Sequence, residues 1–135
     1  MWYEMSVHCK PGQEIRTDFS GDRPIVIDER LLKNICINLL SNAIKFSPEN
    51  SAIVLLCHIS SSEVLLSIKD SGIGISEEDQ AHLFERFFRA KNAVNIQGTG
   101  LGLNIVLRYI ELMNGSIEFK SELEKGSVFT IHIPQ

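Results

Sequence analysis

The chain has 135 residues, the size of one domain built on a single core, which excludes two large domains. Apolar residues make up 44% and charged residues 22%, a globular balance that argues against both a disordered tail and a membrane protein. Thirteen Lys and Arg against 17 Asp and Glu leave a net charge of -4, so nucleic acid is not an expected partner and any bound phosphate must be held locally. The three cysteines, Cys9, Cys36 and Cys57, are odd in number and lack C-x-x-C spacing. They predict neither a disulfide framework nor a zinc site, and they favour a reducing, cytoplasmic setting. No run of about 18 apolar residues occurs, and Met1-Trp2-Tyr3-Glu4-Met5 has no signal-peptide pattern, so direct membrane contact is not expected.

In chain order, Glu14 to Phe19 and Pro24 to Ile27 are β-prone pieces separated by Ser20-Gly21-Asp22-Arg23, a turn composition that predicts an opening hairpin. From Asp28, a good N-cap, apolar residues recur at Leu32, Ile35, Cys36, Leu39, Leu40 and Ala43 until Ser47-Pro48, which predicts a long, mostly buried helix. Ala52 to Ile59 and Val64 to Lys69, joined by Ser60-Ser61-Ser62-Glu63, predict a second hairpin. Ser76-Glu77-Glu78-Asp79 has the form of a capping box leading into a short helix through about Phe88. Ala90 to Gln97 shows no period and is expected to be a mobile loop. Gly98 to Gly102 opens another helix, Leu103 to Met113, stopped by Asn114-Gly115. Two last strands, Ser116 to Ser121 and Ser127 to Ile133, meet near Lys125-Gly126. The expected architecture is an α+β sheet with helices on one face, as one domain over residues 1–135.

Three stretches carry chemistry. At 100° per residue, Asn34, Asn38, Asn42 and Lys45 share a narrow arc of the long helix, interrupted only by Leu31, while almost everything else on it is apolar. A solvated face normally carries Glu, Lys and Arg, so a seam of neutral amides ending in one amine reads as a strip facing a ligand. The alternative is a buried amide ladder that satisfies backbone groups. A neutral Asn oxygen suffices as a ligand to Mg²⁺ when a nucleotide supplies the negative charge, and Lys45 can then sit on a phosphate.

Asp70-Ser71-Gly72-Ile73-Gly74 follows a predicted strand and sets a carboxylate beside two glycines. An ionised Asp only accepts hydrogen bonds, which suits an exocyclic amine such as that of adenine; the alternative is an ordinary Asp-Ser-Gly turn. Gly98-Thr99-Gly100-Leu101-Gly102-Leu103 precedes a helix, so its amides can converge on an anion, with plain loop flexibility as the alternative. It lacks the Gly-Lys-Ser/Thr of a P-loop and the spacing of a dinucleotide fingerprint. Between these stretches lies Leu83-Phe84-Glu85-Arg86-Phe87-Phe88-Arg89. Phe84 and Phe87 read equally as core or as grips on the loop, and Arg89 at the loop's edge can reach a phosphate or a partner. Arg86 and Lys91 read as well as plain surface charge.

In this order the residues resemble the catalytic, ATP-binding domain of sensor histidine kinases, in the superfamily that also holds gyrase, the Hsp90 chaperone and MutL. Asn38-Leu39-Leu40-Ser41-Asn42-Ala43-Ile44-Lys45-Phe46 looks like the N box, Asp70 to Gly74 like the G1 box, Leu83 to Phe88 like the F box, and Gly98 to Leu103 like the G2 box. Each motif is weak alone; four in register, over about Gly12 to Pro134, are a strong signal. The resemblance implies a Bergerat-type α/β sandwich, a mixed and mostly antiparallel sheet with helices on one face and a flexible ATP lid at Ala90 to Gln97. It implies that Asn42 binds Mg²⁺, that Asn38 assists at the phosphates or metal-bound water, and that Lys45 contacts phosphate. Asp70 would take the adenine amine, Gly72 and Gly74 would admit the ring, and Gly100, Leu101 and Gly102 would offer amides to the phosphates, with Gly98, Thr99, Leu103 and Arg89 also expected among the nucleotide-binding residues. Ser127 or Thr130 would complete the adenine side.

The implied activity is transfer of the ATP γ-phosphoryl group to a histidine on the kinase's own dimerisation domain, which then serves a response regulator. Gyrase and Hsp90 carry a Glu one turn before the metal-binding Asn; here that position is Asn38, an amide that takes no proton, so transfer is favoured over hydrolysis. The family's acceptor pattern, His followed by Glu or Asp and soon by Arg and Pro, matches none of His8, His58, His82 or His132. The acceptor is therefore expected outside this chain, which should be a monomer that binds ATP without phosphorylating itself. A cytoplasmic location is expected whether or not the parent protein is membrane-tethered. Met113-Asn114-Gly115 replaces the more usual His-Gly-Gly, and Asn104 stands where a small residue is common. Two rivals are a serine kinase of the anti-sigma-factor type and a non-catalytic ATP-binding module.

Overall fold

A computed structural model of the chain describes residues 9–21, 24–85 and 102–135. Strand β1 (Glu14–Ser20) leads into helix α1 (Glu29–Phe46), whose first turn is capped by the Asp28 carboxylate accepting from the Arg30 and Leu31 amides at 3.0 and 3.3 Å. Ile35, Cys36, Leu39, Leu40, Ala43 and Ile44 form the buried stripe of α1, the helical spacing read from the sequence. The helix ends where Ser47 turns extended ahead of Pro48, its N–H still bonded to the Ala43 carbonyl.

Strands β2 (Ala52–Ile59) and β3 (Glu63–Asp70) pair antiparallel across a turn in which the Ser60 hydroxyl accepts from the Glu63 amide. One turn of helix, α2 (Glu77–Gln80), is capped by Ser76, whose hydroxyl accepts from the Asp79 amide. Then come helix α3 (Gly102–Leu112) and strands β4 (Ser116–Glu122) and β5 (Gly126–Pro134). Asn114, at φ 59, takes the left-handed position that ends α3. Gly115 follows because a Cβ there would press on the His132 carbonyl, 2.6 Å away.

The sheet runs β1-β2-β3-β5-β4; β1 is parallel to β2 and every other pair is antiparallel. Its inner face presents Ile53 and Leu55, Val64, Leu66 and Ile68, and Phe129, Ile131 and Ile133 to α1 and to Val106 and Ile110 of α3. Both long helices cover this one face, as expected.

Two expected elements differ. The opening hairpin does not form: Pro24 to Ile27 are not a strand, and β1 pairs with β2 after the crossover through α1. Pro24 brings no N–H to a ladder, and the segment's hydrogen bonds go elsewhere, Val26 N–H to Gln135 Oε1 at 2.7 Å and Gln135 Nε2 to the Val26 carbonyl at 3.1 Å. The helix expected to run to about Phe88 stops at Gln80 and gives way to turns over residues 81–85. Residues 86–88 of that expectation lie outside the described residues.

Candidate functional site

The carboxyl end of α1 and the carboxyl end of β3 meet. The Ile73 amide donates to the Phe46 carbonyl at 3.2 Å, joining the segment after β3 to the last turn of α1. This junction brings Asn42 and Lys45, 28 and 25 positions earlier in the sequence, to the same end of the sheet as Asp70.

The amides of α1 divide into two kinds. Asn34 Nδ2 donates to the Arg30 carbonyl at 2.9 Å and Asn38 Nδ2 to the Asn34 carbonyl at 2.8 Å, so these two amides bond helix carbonyls one turn back, on an exposed face rather than as a buried ladder. The half-buried carboxamide of Asn42 has no hydrogen-bond partner among the described residues. Its oxygen is therefore available as a hard ligand, and Lys45 on the next turn is exposed.

Asp70 is 8% exposed and accepts from the Gly72 amide at 2.9 Å. Burial pushes its carboxyl above the usual range, while the Gly72 and Ser127 backbone N–H groups pull it back. A buried carboxylate with lone pairs to spare is suited to an amine. A Cβ at Gly72 would collide with the Phe46 carbonyl, and one at Gly74, where φ is +70°, with the Glu122 carbonyl. In this structure both glycines thus serve approach of chain to chain. Of the two hydroxyls considered for this side, Ser127 pairs with Asp70 and is buried on its face, whereas Thr130 pairs with Ser67 on the opposite face of the sheet.

Several contributors carry no sequence signal. Lys10 Nζ donates to the Lys45 and Ser47 carbonyls at 2.9 and 2.6 Å, and buried Gln13 reaches the Ile44, Ser47 and Pro48 carbonyls at 3.2 to 3.4 Å. A cation and an amide thus satisfy the helix end that carries Asn42 and Lys45. They come from more than 30 residues earlier, and only the fold shows the pairing. Gln80 Nε2 bonds the Ile75 and Ser121 carbonyls at 2.8 and 3.2 Å, and the Glu124 amide bonds the Ile73 carbonyl at 2.8 Å. The segment after β3 is thereby held by α2 on one side and the β4–β5 turn on the other.

Leu83 is buried, and the half-buried Phe84 packs against the core, meeting Phe119 edge to face at 5.8 Å, with Phe119 stacked on Phe129 at 5.9 Å. Asn104 Nδ2 donates to the Phe84 carbonyl at 3.1 Å, tying the first turn of α3 to the Leu83–Glu85 stretch. Gly102 and Leu103 open α3. Arg86, Phe87, Phe88, Arg89, Lys91, the expected lid at Ala90 to Gln97, and Gly98, Thr99, Gly100 and Leu101 lie outside the described residues. Among the described residues no helix is long and apolar enough to cross a membrane.

Residues 27–135 match the family described as histidine kinase-, DNA gyrase B-, and HSP90-like ATPase. The adaptive-response sensory kinase SasA of Synechococcus sp. (strain CC9311) is 39% identical over 123 residues, covering 89% of this chain and 32% of that protein. Full-length ShkA, solved in complex with AMPPNP, superposes with a TM-score of 0.82 at 32% identity over 98% of this chain and 28% of that one. The mycobacterial sensor histidine kinase MprB superposes with a TM-score of 0.81 at 27% identity over 91% of this chain and 84% of that structure. The chain spans about a third or less of the length of the curated relatives it matches, 32% of SasA and 15% of the Synechococcus elongatus kinase CikA. On these matches and this fold, the chain belongs to the histidine kinase-, DNA gyrase B- and HSP90-like ATPase family, as an ATP-binding catalytic domain of the sensor histidine kinase type.

Proposed function

We propose that this chain binds Mg-ATP and passes the γ-phosphoryl group to a histidine of a dimerisation domain belonging to the same kinase, in two-component signalling. The observation that carries the reading is the junction of α1 with the end of β3, which brings the Asn42 carboxamide, without a partner among the described residues, and the exposed Lys45 amine to the same end of the sheet as the buried Asp70 carboxylate. Asp70 receives the adenine amine, which fixes the base. Lys45 meets a phosphate as a point charge. Asn42 would hold the metal, a role that its neutral oxygen and the lack of a competing bond among the described residues fit; Mg²⁺, when bound, would supply charge neutralisation at the phosphates.

Asn38 bears on the choice of acceptor. Its Nδ2 is committed to the Asn34 carbonyl, and an amide oxygen takes no proton at neutral pH, so this position activates no water. As the bond from γ-phosphorus to its bridging oxygen breaks, a nitrogen–phosphorus bond forms on an imidazole supplied from outside these residues, and ADP leaves. Such an acceptor arrives on its own helix, so alignment depends on docking and the response regulator is served through that domain. The location that goes with this role is cytoplasmic.

The test mixes this chain with a separately produced dimerisation fragment of a related kinase, labelled ATP and Mg²⁺. Acid-labile label on the fragment's histidine is expected. Acid-stable label on serine would assign the chain to the serine-kinase rival, and bound ATP with no transfer would make it a regulatory module. Turnover of ATP by the chain alone at the rate of a dedicated ATPase would refute the role given to Asn38.

A further inference from the structure

We propose that Ser121 is a positioning residue that sets base selectivity in the nucleotide site, acting through Ser127; this rests on the reading of Asp70 as the base-recognition residue. Three adjacent strands place Ser121, Ser127 and Asp70 in one row, Ser121 opposite Ser127 across β4 and β5, and Ser127 opposite Asp70 across β5 and β3. Residues opposite each other in paired strands project to the same face, with Cβ atoms roughly 5 Å apart. Ser127 and Asp70 are both buried there.

A serine hydroxyl has one proton and two acceptor positions. Ser121 Oγ uses all three. It donates to the Gly126 carbonyl at 3.2 Å, accepts the Ile75 amide at 2.8 Å, and lies 2.7 Å from Ser127 Oγ. In the assignment that satisfies all three contacts at once, the Ser121 proton lies on the Gly126 carbonyl and Ser121 accepts from Ser127, so the Ser127 hydroxyl proton points away from Asp70. Ser127 then offers only lone pairs to the base side, next to a carboxylate that also only accepts. Two neighbouring acceptors favour a purine edge that donates through an exocyclic amine and oppose one that carries a carbonyl at the same position. Gln80 steadies the arrangement by bonding the carbonyls of Ile75 and Ser121.

Removing the Ser121 hydroxyl frees the Ser127 proton to turn toward the base and donate to a carbonyl. Calorimetric titration with Mg-ATP and with Mg-ITP, whose base carries oxygen in place of the amine, tests this on the wild-type chain, Ser121→Ala, Ser121→Thr and Ser127→Ala. The wild type is expected to prefer ATP, Ser121→Ala to lower the ATP:ITP ratio about tenfold, and Ser121→Thr, which keeps a hydroxyl, to retain it. Ser127→Ala should lower the ratio as well, and the double variant should go no further than either single one. A ratio unchanged in Ser121→Ala, or equal weakening of both nucleotides, would overturn the assignment as a purely structural effect. If Ser121→Ala fails to fold, an unchanged ratio in Ser127→Ala overturns it instead. A wild-type chain that binds neither nucleotide overturns the nucleotide-site reading itself.

Discussion

Asn38 and Asn42 sit one turn apart on α1 and differ in what their amides already do. Asn38 is held by the Asn34 carbonyl, while Asn42 has no partner among the described residues. Exchanging Asn42 for Ala therefore removes no bond among the described residues, and the fold should keep its stability to within about 0.5 kcal/mol. The same change should abolish the Mg²⁺-dependent part of ATP binding; a titration in which the magnesium effect survives would reject Asn42 as the ligand. At Asp70 the sign is set by burial, which raises the carboxyl against the opposing pull of the Gly72 and Ser127 amides. A raised carboxyl contributes stability that is complete below its unfolded value and is lost as pH rises through the folded one. Nucleotide binding runs the other way, because only the ionised form accepts the amine without holding a proton of its own. Affinity for ATP should climb with pH through a titration lying above the ordinary carboxylate range, and Asp70→Asn should flatten that climb. A wild-type affinity that is constant across the acidic range would remove Asp70 from base recognition.

At the scale of elements, α1 is the part on which the site depends, and its two ends are secured differently. The amino end is capped locally by Asp28, a contribution of about 1 kcal/mol. The carboxyl end is closed by Lys10 and Gln13 from the chain before β1. Gln13 is buried, so Gln13→Ala leaves carbonyls of the last turn without their partner at a cost of about 1 to 3 kcal/mol. It should destabilise more than Asp28→Ala in urea unfolding, and it alone should also weaken Mg-ATP binding, since Asn42 and Lys45 ride on that turn. Equal ATP affinities in the two variants would show that the end of α1 needs no such support. The contrast also marks what the sequence made readable. Asp28, the apolar spacing of α1 and Ser47-Pro48 act within a few residues of one another, and so do the turns that join β2 to β3 and β4 to β5. The partner of β1 was not readable, because the turn-like Ser20 to Arg23 suggested a local hairpin while the pairing actually made, Ile15 with Ile53, spans the whole of α1. Lys10, Gln13 and the hydroxyl pair of Ser121 and Ser127 share that property: each acts on a group brought near only by the finished sheet.

Across the whole molecule, the end of the sheet farthest from the nucleotide site carries the other pH-sensitive feature. His132 of β5 lies between Glu118 of β4, at 2.7 Å from Nε2, and Glu63 of β3, at 3.1 Å from Nδ1. The edge strand β4 is thereby linked through one imidazole to the centre of the sheet. The bond to Glu118 and, after it, the bond to Glu63 outweigh burial and raise the imidazole above its ordinary value of 6.5. A raised histidine contributes stability fully present below its unfolded value and lost as pH rises through the folded one. Unfolding free energy should accordingly fall from mildly acidic to mildly alkaline pH, by less than about 1 kcal/mol because the carboxylates are substantially exposed. His132→Gln should reduce this slope, and Glu118→Gln should reduce it more than Glu63→Gln. His82 is raised in the same direction by Glu85, so the slope that remains in His132→Gln belongs to that pair and to the rest of the chain. Glu63 and Asp70 stand at opposite ends of β3, roughly 23 Å apart at the rise of an extended strand. Charges so separated are screened from each other at physiological salt. The two titrations should therefore be separable: His132→Gln should change how stability depends on pH and leave the pH dependence of ATP affinity intact, whereas Asp70→Asn should remove the latter. An ATP pH profile that moves with His132 would mean that the sheet transmits the state of its far end to the nucleotide.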